Sequence, residues 1–170
     1  MASTVKQAAE FGITRKQSLA APAVFITDVN SMGLKSAQGL QFLTAFYWDR
    51  NDATRAWSRK FFERRKSMPT MTQAGVYSAV RHYLKAIEAA KSDDAAAVAA
   101  KMREIPIKDM YTDNGWIRQD GQVMHDMYLV EVKKPTESNA PWDYYKVIET
   151  VPAKEAFQPL SDSACPLVRK

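Results

Sequence analysis

The spacing of apolar residues changes along this 170-residue chain, and that change limits the folds it can adopt. Residues 21–27 have a continuous apolar centre, which is typical of a strand buried on both faces. Residues 52–105 repeat apolar side chains every three or four positions, as amphipathic helices do. Beyond Gly115 the period falls to two, the period of strands. Together these spacings predict an α/β fold.

The same spacings predict where the elements lie. After a first strand at 24–27, residues 28–33 are predicted to form a loop. Further strands are predicted at residues 41–48, 123–132 and 142–150. Helices are predicted at residues 52–69, 72–91 and 93–105. The second helix is predicted to bury one apolar face, which contains Val76, Val80, Tyr83, Ile87 and Ala90. Asp120-Gly121 predicts a hairpin turn before the strand that begins at Val123.

Composition excludes several classes of protein. With 46% hydrophobic and 25% charged residues, the chain has enough apolar side chains to fold. It contains no run of the roughly 18–20 consecutive apolar residues that a membrane-spanning helix needs. One cysteine and two histidines are too few for a zinc site or an internal disulfide framework. Phosphate-binding glycine motifs are absent from the sequence. Neither a metal nor a cofactor is therefore expected.

Two alternative functions remain open at this stage. The helix at residues 55–66 is rich in Arg and Lys and contains Trp57, so it could form a small nucleic-acid-binding module. His125 beside Asp126 could serve acid–base chemistry in a small hydrolase. In the basic helix, the spacing of the aromatic residues favours core packing over contact with nucleic acid. His125 and Asp126 are adjacent in a predicted strand, so their side chains should point to opposite faces of the sheet.

The residues at both ends of the chain bear on whether it is part of a longer protein. Residues 5–12 are typical of the end of an amphipathic helix that stops at Gly12, so the chain is expected to begin inside a structure, as a fragment. The first residues lack the apolar segment of a signal peptide. Cys165 is either an inert thiol or half of a disulfide whose partner lies outside the chain.

Several short segments, taken in order, resemble one family. They are Lys6-Gln7-Ala8-Ala9-Glu10-Phe11-Gly12, Ala37-Gln38-Gly39-Leu40, Phe46-Tyr47-Trp48-Asp49, Ala74-Gly75-Val76-Tyr77-Ser78-Ala79-Val80, Asp120-Gly121 and Met127-Tyr128-Leu129-Val130-Glu131-Val132-Lys133. Their order and spacing resemble the C-terminal part of a periplasmic solute-binding protein of the branched-chain amino acid (leucine/isoleucine/valine-binding) type, which serves ABC importers. Two further segments resemble one subgroup, Trp142-Asp143-Tyr144-Tyr145-Lys146 and Ser163-Ala164-Cys165-Pro166-Leu167.

The resemblance implies a partial periplasmic-binding-protein type I fold, with pieces of two three-layer α/β lobes, parallel sheet elements and a C-terminal hairpin. Residues 1–46 would belong to the second lobe, residues 47–110 would form helices of the first, and residues 111–170 would cross back and form the tail. It further implies a periplasmic full-length parent with no enzymatic activity, permease subunits as partners and no nucleic acid. Without the first half, exposed apolar faces and sheet edges are expected to favour self-association.

The resemblance also implies which residues contact the solute. The loop after the first strand would face it, with Asp28 nearest to an amino acid's ammonium group and Val29 and Asn30 beside it. Tyr47 and Trp48 would supply aromatic walls.

A helix start would complete the site, through Ala74 and Tyr77. Ser78 follows Tyr77 where amino-acid-binding relatives carry an acid. The resemblance therefore predicts a less cationic solute, an organic acid or an aromatic compound, held by Tyr47, Trp48 and Tyr77.

Overall fold

The computed structural model describes residues 2–166 and 168, without the side chains of Ala2 and Arg15. The subgroup segment that ends at Leu167 extends beyond the described residues. The helices are α1 Ala2–Glu10, α2 Ile26–Met32, α3 Leu34–Ala37, α4 Asp52–Arg65, α5 Met71–Ala90, α6 Ala95–Glu104 and α7 Ala153–Ala156. The strands are β1 Ala20–Ala21, β2 Gln41–Thr44, β3 Trp116–Ile117, β4 Val123–Met124, β5 Met127–Val132 and β6 Tyr145–Val151. Among the described residues, no helix has the length and apolar character needed to cross a membrane.

The chain forms two compact units. Unit 1 contains the chain up to residue 71 together with residues 128–150, and unit 2 contains residues 72–127 together with the chain after residue 150. The polypeptide therefore passes from one unit to the other after residues 71, 127 and 150. The expected division into lobes at residues 46 and 110 uses other boundaries, and the assignment of segments to lobes stays a prediction.

Unit 1 is built around a mixed four-stranded sheet in the order β1-β2-β5-β6. β1 pairs with β2 in parallel, and β2 pairs with β5 in antiparallel register, with Phe42 opposite Val130. Alternate residues of β5 are buried, so Tyr128, Val130 and Val132 share the core face as the period of two predicts. The core that they join also contains Val5, Val29, Met32, Leu40 and Phe42.

The apolar run at residues 21–27 does not form the predicted strand. β1 contains only Ala20 and Ala21, and α2 begins at Ile26, so residues 28–32 are helical instead of forming a loop. An apolar run this short suits a buried helix start as well as a strand. Asp28 stabilises the helix here, because its carboxylate accepts a hydrogen bond from the backbone N–H of Phe25 at 2.9 Å.

The helices at residues 52–69 and 72–91 are confirmed, as α4 and α5, but the predicted buried face of α5 is wrong. Val76, Val80 and Tyr83 are exposed, and the opposite face, with Ala74, Ser78, His82 and Ala86, is buried. The two polar members of that face have partners. The Ser78 hydroxyl donates to Asp109 Oδ2 at 2.8 Å, and His82 Nε2 lies 2.8 Å from the Met102 carbonyl oxygen. Satisfied polar groups can be buried at little cost, and small side chains let neighbouring segments approach.

The predicted hairpin is present in unit 2. β3 and β4 pair in antiparallel register around Asp120 and Gly121, and the glycine has the positive φ of 87° that such a turn requires. The predicted strand at residues 123–132 is two strands, β4 and β5, and His125 and Asp126 between them belong to neither.

Candidate ligand-binding site

Unit 1 contains a small pocket with five aromatic residues in its walls and about 10 Å³ of enclosed space, room for about one water molecule. Its lining comes from four segments: the approach to α2, the end of β2 with the loop that follows it, the residues before α5, and the start of β6. The lining residues are Val24, Phe25, Ile26, Thr44, Phe46, Tyr47, Trp48, Pro69, Thr70, Met71 and Tyr145. Such a surface of aromatic rings with a few hydroxyl groups is typical of small-molecule sites.

The end of β2 brings the aromatic segment to this pocket. The strand stops at Thr44, earlier than the predicted residue 48, because the chain turns there. The Thr44 hydroxyl donates to the Phe46 carbonyl oxygen at 3.0 Å and accepts from the Phe46 N–H at 3.4 Å. This side chain replaces the strand partners of Phe46 and fixes the turn, so Tyr47 and Trp48 follow at the pocket wall.

Tyr47 is buried, and its hydroxyl is occupied by the protein. It donates to Asp143 Oδ1 at 3.5 Å and accepts from the Tyr145 N–H at 3.5 Å, and its ring centroid lies 5.0 Å from that of Tyr145. Burial raises the pKa of the Tyr47 phenol above its usual value. The phenol therefore stays protonated, and the side chain offers the pocket its ring.

Asp143 anchors this arrangement. It forms an ion pair with Lys133, and its Oδ2 accepts from the backbone N–H of Asn139 at 3.0 Å. Burial alone would raise the pKa of the Asp143 carboxyl, but the Asn139 N–H and the Lys133 ammonium outweigh it and hold the pKa below its usual value. The charged Asp143 carboxylate therefore helps to hold the Tyr47 side chain in place at the pocket wall.

Trp48 is half-buried, and its indole N–H donates to the Trp142 carbonyl oxygen at 2.8 Å. Trp142 has a left-handed backbone with φ of 70°, which is uncommon for any residue except glycine. Backbone strain of this kind persists where surrounding contacts determine the conformation, and it concentrates at functional sites. The hydrogen bond to Trp142 thereby holds the Trp48 indole in a fixed orientation at the pocket.

Tyr145 is a pocket residue that the sequence reasoning missed. Its hydroxyl is buried and has no hydrogen-bond partner among the described residues, although it lies at a pocket wall. Burial raises the pKa of this phenol, and the nearby Asp28 carboxylate raises it further. The signal for Tyr145 was its place in the subgroup segment 142–146, whereas nothing in the sequence indicated Phe25 or Thr70.

The predicted contact residues separate into three groups. Tyr47 and Trp48 line the pocket. The three residues predicted in a loop lie on α2 instead: Asp28 caps that helix, Val29 is fully buried in the core, and Asn30 accepts a hydrogen bond from the Tyr144 hydroxyl at 2.7 Å.

The third group, Ala74 and Tyr77, lies on α5 in unit 2. Ala74 is fully buried, and Tyr77 is 44% exposed. The role of all seven residues as solute contacts stays a prediction.

The two alternative sites have the following geometry. On α4, Arg55 forms ion pairs with Asp49 and Asp52, and the Trp57 ring packs against Phe46 and Phe61 at centroid distances of 5.8 and 5.7 Å. In unit 2, the His125 ring packs edge-on against Tyr111 and Phe157 at 5.1 and 5.2 Å. Within the described ranges, no three His, Cys, Asp or Glu side chains are grouped as metal ligands would be. These contacts are those of packed side chains, and they favour neither alternative.

Comparison with known proteins identifies the family. Residues 1–139 match the family model described as periplasmic binding protein. This chain therefore belongs to the periplasmic binding protein family. Comparison with curated protein sequences gives no match.

Solved structures agree with this assignment. A periplasmic binding protein from Burkholderia mallei is 46% identical over 99% of this chain, with a TM-score of 0.92. A branched chain amino acid ABC transporter periplasmic ligand-binding protein from Burkholderia xenovorans LB400 is 41% identical over 98% of the chain, with a TM-score of 0.91. The chain spans 44% and 45% of the length of these two relatives. A Brucella ovis protein that binds leucine, isoleucine, valine, threonine and alanine shares the fold, at 20% identity over 91% of this chain and 41% of its own, with a TM-score of 0.73.

Proposed function

We propose that this chain is the solute-binding part of an ABC importer, which captures a small organic solute and performs no chemistry on it. Family membership supports this role, and so does the printed name of the Burkholderia xenovorans relative, a periplasmic ligand-binding protein of a branched chain amino acid ABC transporter. The observation that carries the proposal is the aromatic pocket in unit 1, where Tyr47 and Trp48 are held by bonds to Asp143 and Trp142.

The proposed solute is an aromatic or other organic acid in preference to an α-amino acid. An ammonium group in a cleft requires a carboxylate, and the described lining of the pocket contains none. The lining contains no cation either, so the partner of the solute's acid group would come from the part of the fold that the relatives have beyond the matched region. Aromatic rings and the hydroxyl group of Tyr145, which has no hydrogen-bond partner among the described residues, suit an aromatic ring with a polar substituent. The enclosed space at this pocket is about 10 Å³, which is room for about one water molecule. The solute would therefore lie against these residues as one wall of its site, and the facing wall would come from the part of the fold that the relatives have beyond the matched region.

The proposed setting follows from the family. The full-length parent would be periplasmic and would deliver its solute to the membrane permease subunits of the importer. Additional contacts to the solute would come from the part of the fold that the relatives have beyond the matched region.

A thermal unfolding scan with a panel of solutes tests this function. We expect benzoate and 4-hydroxybenzoate to raise the melting temperature of the chain, and leucine to raise it less. A solute at a hundred times its dissociation constant should stabilise the folded state by about 2.7 kcal/mol. For a chain of this size that corresponds to a shift of about 5–10 °C.

Cyclohexanecarboxylate is the matched control in that scan, since it has the same charge and a similar size but no aromatic face. A shift with leucine and none with aromatic acids would contradict the proposed solute class. A melting temperature that no solute changes would contradict binding by this chain.

A further inference from the structure

The polar side chains of the pocket lining, with one exception, are engaged by the protein itself. Thr44, Tyr47 and Trp48 donate hydrogen bonds to protein acceptors, and Thr70 also has a partner. The exception is Tyr145, whose buried hydroxyl has no hydrogen-bond partner among the described residues. A buried polar group without a protein partner needs one from water or from a ligand.

The position of the Tyr145 hydroxyl is fixed by its neighbours. The residue is only 4% exposed, and its ring packs edge-on against Phe42 at a centroid distance of 5.1 Å and at a tilt against Tyr47 at 5.0 Å. Burial raises the pKa of the phenol, so the hydroxyl keeps its proton and can donate it to an acceptor. The pocket wall therefore presents one hydrogen-bonding group in a preorganised position.

The enclosed space at this pocket has room for one small group. It measures about 10 Å³, which admits about one water molecule and excludes an aromatic ring. A hydroxyl oxygen is similar in size to a water molecule. A solute ring that lies against the wall could therefore place one hydroxyl group in this space and nothing larger.

We propose that the Tyr145 hydroxyl and this space form a one-oxygen subsite, which holds a water molecule in the free protein and a hydroxyl group of the solute in the complex. The solute is then an aromatic acid with a hydroxyl group at the end of the ring opposite its acid group, because the lining has no cation for the acid. A solute hydroxyl that replaces an ordered water and reproduces its hydrogen bonds keeps affinity, whereas a group that cannot do so loses it. This inference rests on the proposed function and deepens it, because it names the residue that selects among aromatic acids.

Calorimetric titrations with 4-hydroxybenzoate, benzoate and 4-methoxybenzoate test the subsite. We expect the wild type to bind 4-hydroxybenzoate about threefold to tenfold more tightly than benzoate, the range that one net hydrogen bond gives. 4-Methoxybenzoate should bind about tenfold more weakly than 4-hydroxybenzoate, because its methyl group exceeds the space and it has no proton to donate. Tyr145→Phe should abolish the preference for 4-hydroxybenzoate over benzoate.

Tyr144→Phe is the matched control, since it removes the hydroxyl of the adjacent tyrosine, which bonds to Asn30 and does not line the pocket. It should keep the wild-type preference for 4-hydroxybenzoate. Equal affinities of the wild type for 4-hydroxybenzoate and benzoate would overturn the proposal. A preference that persists in Tyr145→Phe would overturn it as well.

Urea unfolding without solute gives a second readout that does not depend on binding. If the Tyr145 hydroxyl holds a water molecule, Tyr145→Phe removes a hydrogen bond and should unfold at a lower urea concentration than the wild type. A variant at least as stable as the wild type would overturn the proposal, because removing an unpartnered buried hydroxyl is neutral or stabilising. Lower stability of Tyr145→Phe together with no binding of any acid would support the one-oxygen subsite and contradict the proposed function, so the two failures are distinguishable.

Discussion

Replacing Asp143 with asparagine should lower the free energy of unfolding of this chain by about 2–3 kcal/mol. The substitution keeps the shape of the side chain but removes the charge that Lys133 faces, and it weakens the acceptors for the Asn139 N–H and the Tyr47 hydroxyl. Breaking a fully buried ion pair costs about 3–5 kcal/mol. The Lys133 side chain is 20% exposed, so water compensates part of that cost. Urea unfolding of both proteins at neutral pH measures the difference.

The same pair predicts a pH dependence. Because folding lowers the pKa of Asp143, its stabilising contribution is present above the unfolded pKa of about 3.8 and is lost as pH falls through the lower folded value. The stability difference between the wild type and Asp143→Asn should therefore be constant near neutral pH and shrink below about pH 4. Asp52→Asn is the control, since that carboxylate is fully exposed in its pair with Arg55 and should change stability little. Equal effects of the two substitutions would contradict the structural role of Asp143.

Replacing Tyr47 with alanine should destabilise the chain by about 3–5 kcal/mol and remove solute binding. The substitution leaves a cavity beside Tyr145 and deletes a wall of the pocket. Tyr47→Phe should cost only about 1 kcal/mol, because it removes two long hydrogen bonds and keeps the ring. Solute titrations below the melting temperature of each variant separate the effect on binding from the effect on stability.

The comparison between the two variants carries this prediction. If the ring contacts the solute, Tyr47→Phe retains the wild-type affinity and folded Tyr47→Ala does not. Loss of affinity in Tyr47→Phe would show that the hydroxyl contacts the solute, which contradicts its proposed engagement with Asp143.

The long elements were predictable from sequence because each repeats its signal many times. α4 and α5 extend over 14 and 20 residues, so their helical period is unambiguous. The hairpin at Gly121 follows from its turn chemistry, and the buried face of β5 follows from strict alternation. Short apolar runs lack this redundancy, which is why the start of α2 was predicted as a strand.

The buried side of α5 could not be predicted for a different reason. Hydrophobicity ranks valine above serine and histidine, but burial also depends on which neighbours are present. Ser78 and His82 are buried because Asp109 and Met102 provide partners, and Val80 is exposed because no described segment covers it. The apolar spacing identified an apolar side of the helix, but spacing alone does not indicate whether a neighbouring segment covers that side.

The pocket was only partly predictable. Tyr47 and Trp48 were identified because they are consecutive aromatic residues. Phe25, Thr70 and Tyr145 come from segments far apart in sequence and meet only in the folded unit. The resemblance assigns Asp28 to the solute because relatives carry an acidic residue in the loop after the first strand, and in this chain its carboxylate caps α2.

Isothermal titration calorimetry of 4-hydroxybenzoate with this chain tests the central claim most directly. We expect one acid bound per chain, with affinity lost in Trp48→Ala, which removes the indole at the pocket wall. Trp116→Ala should bind as the wild type does, because Trp116 lies on β3 in unit 2 and does not line the pocket. No binding heat, or the same affinity in Trp48→Ala as in the wild type, would contradict a solute site in this pocket.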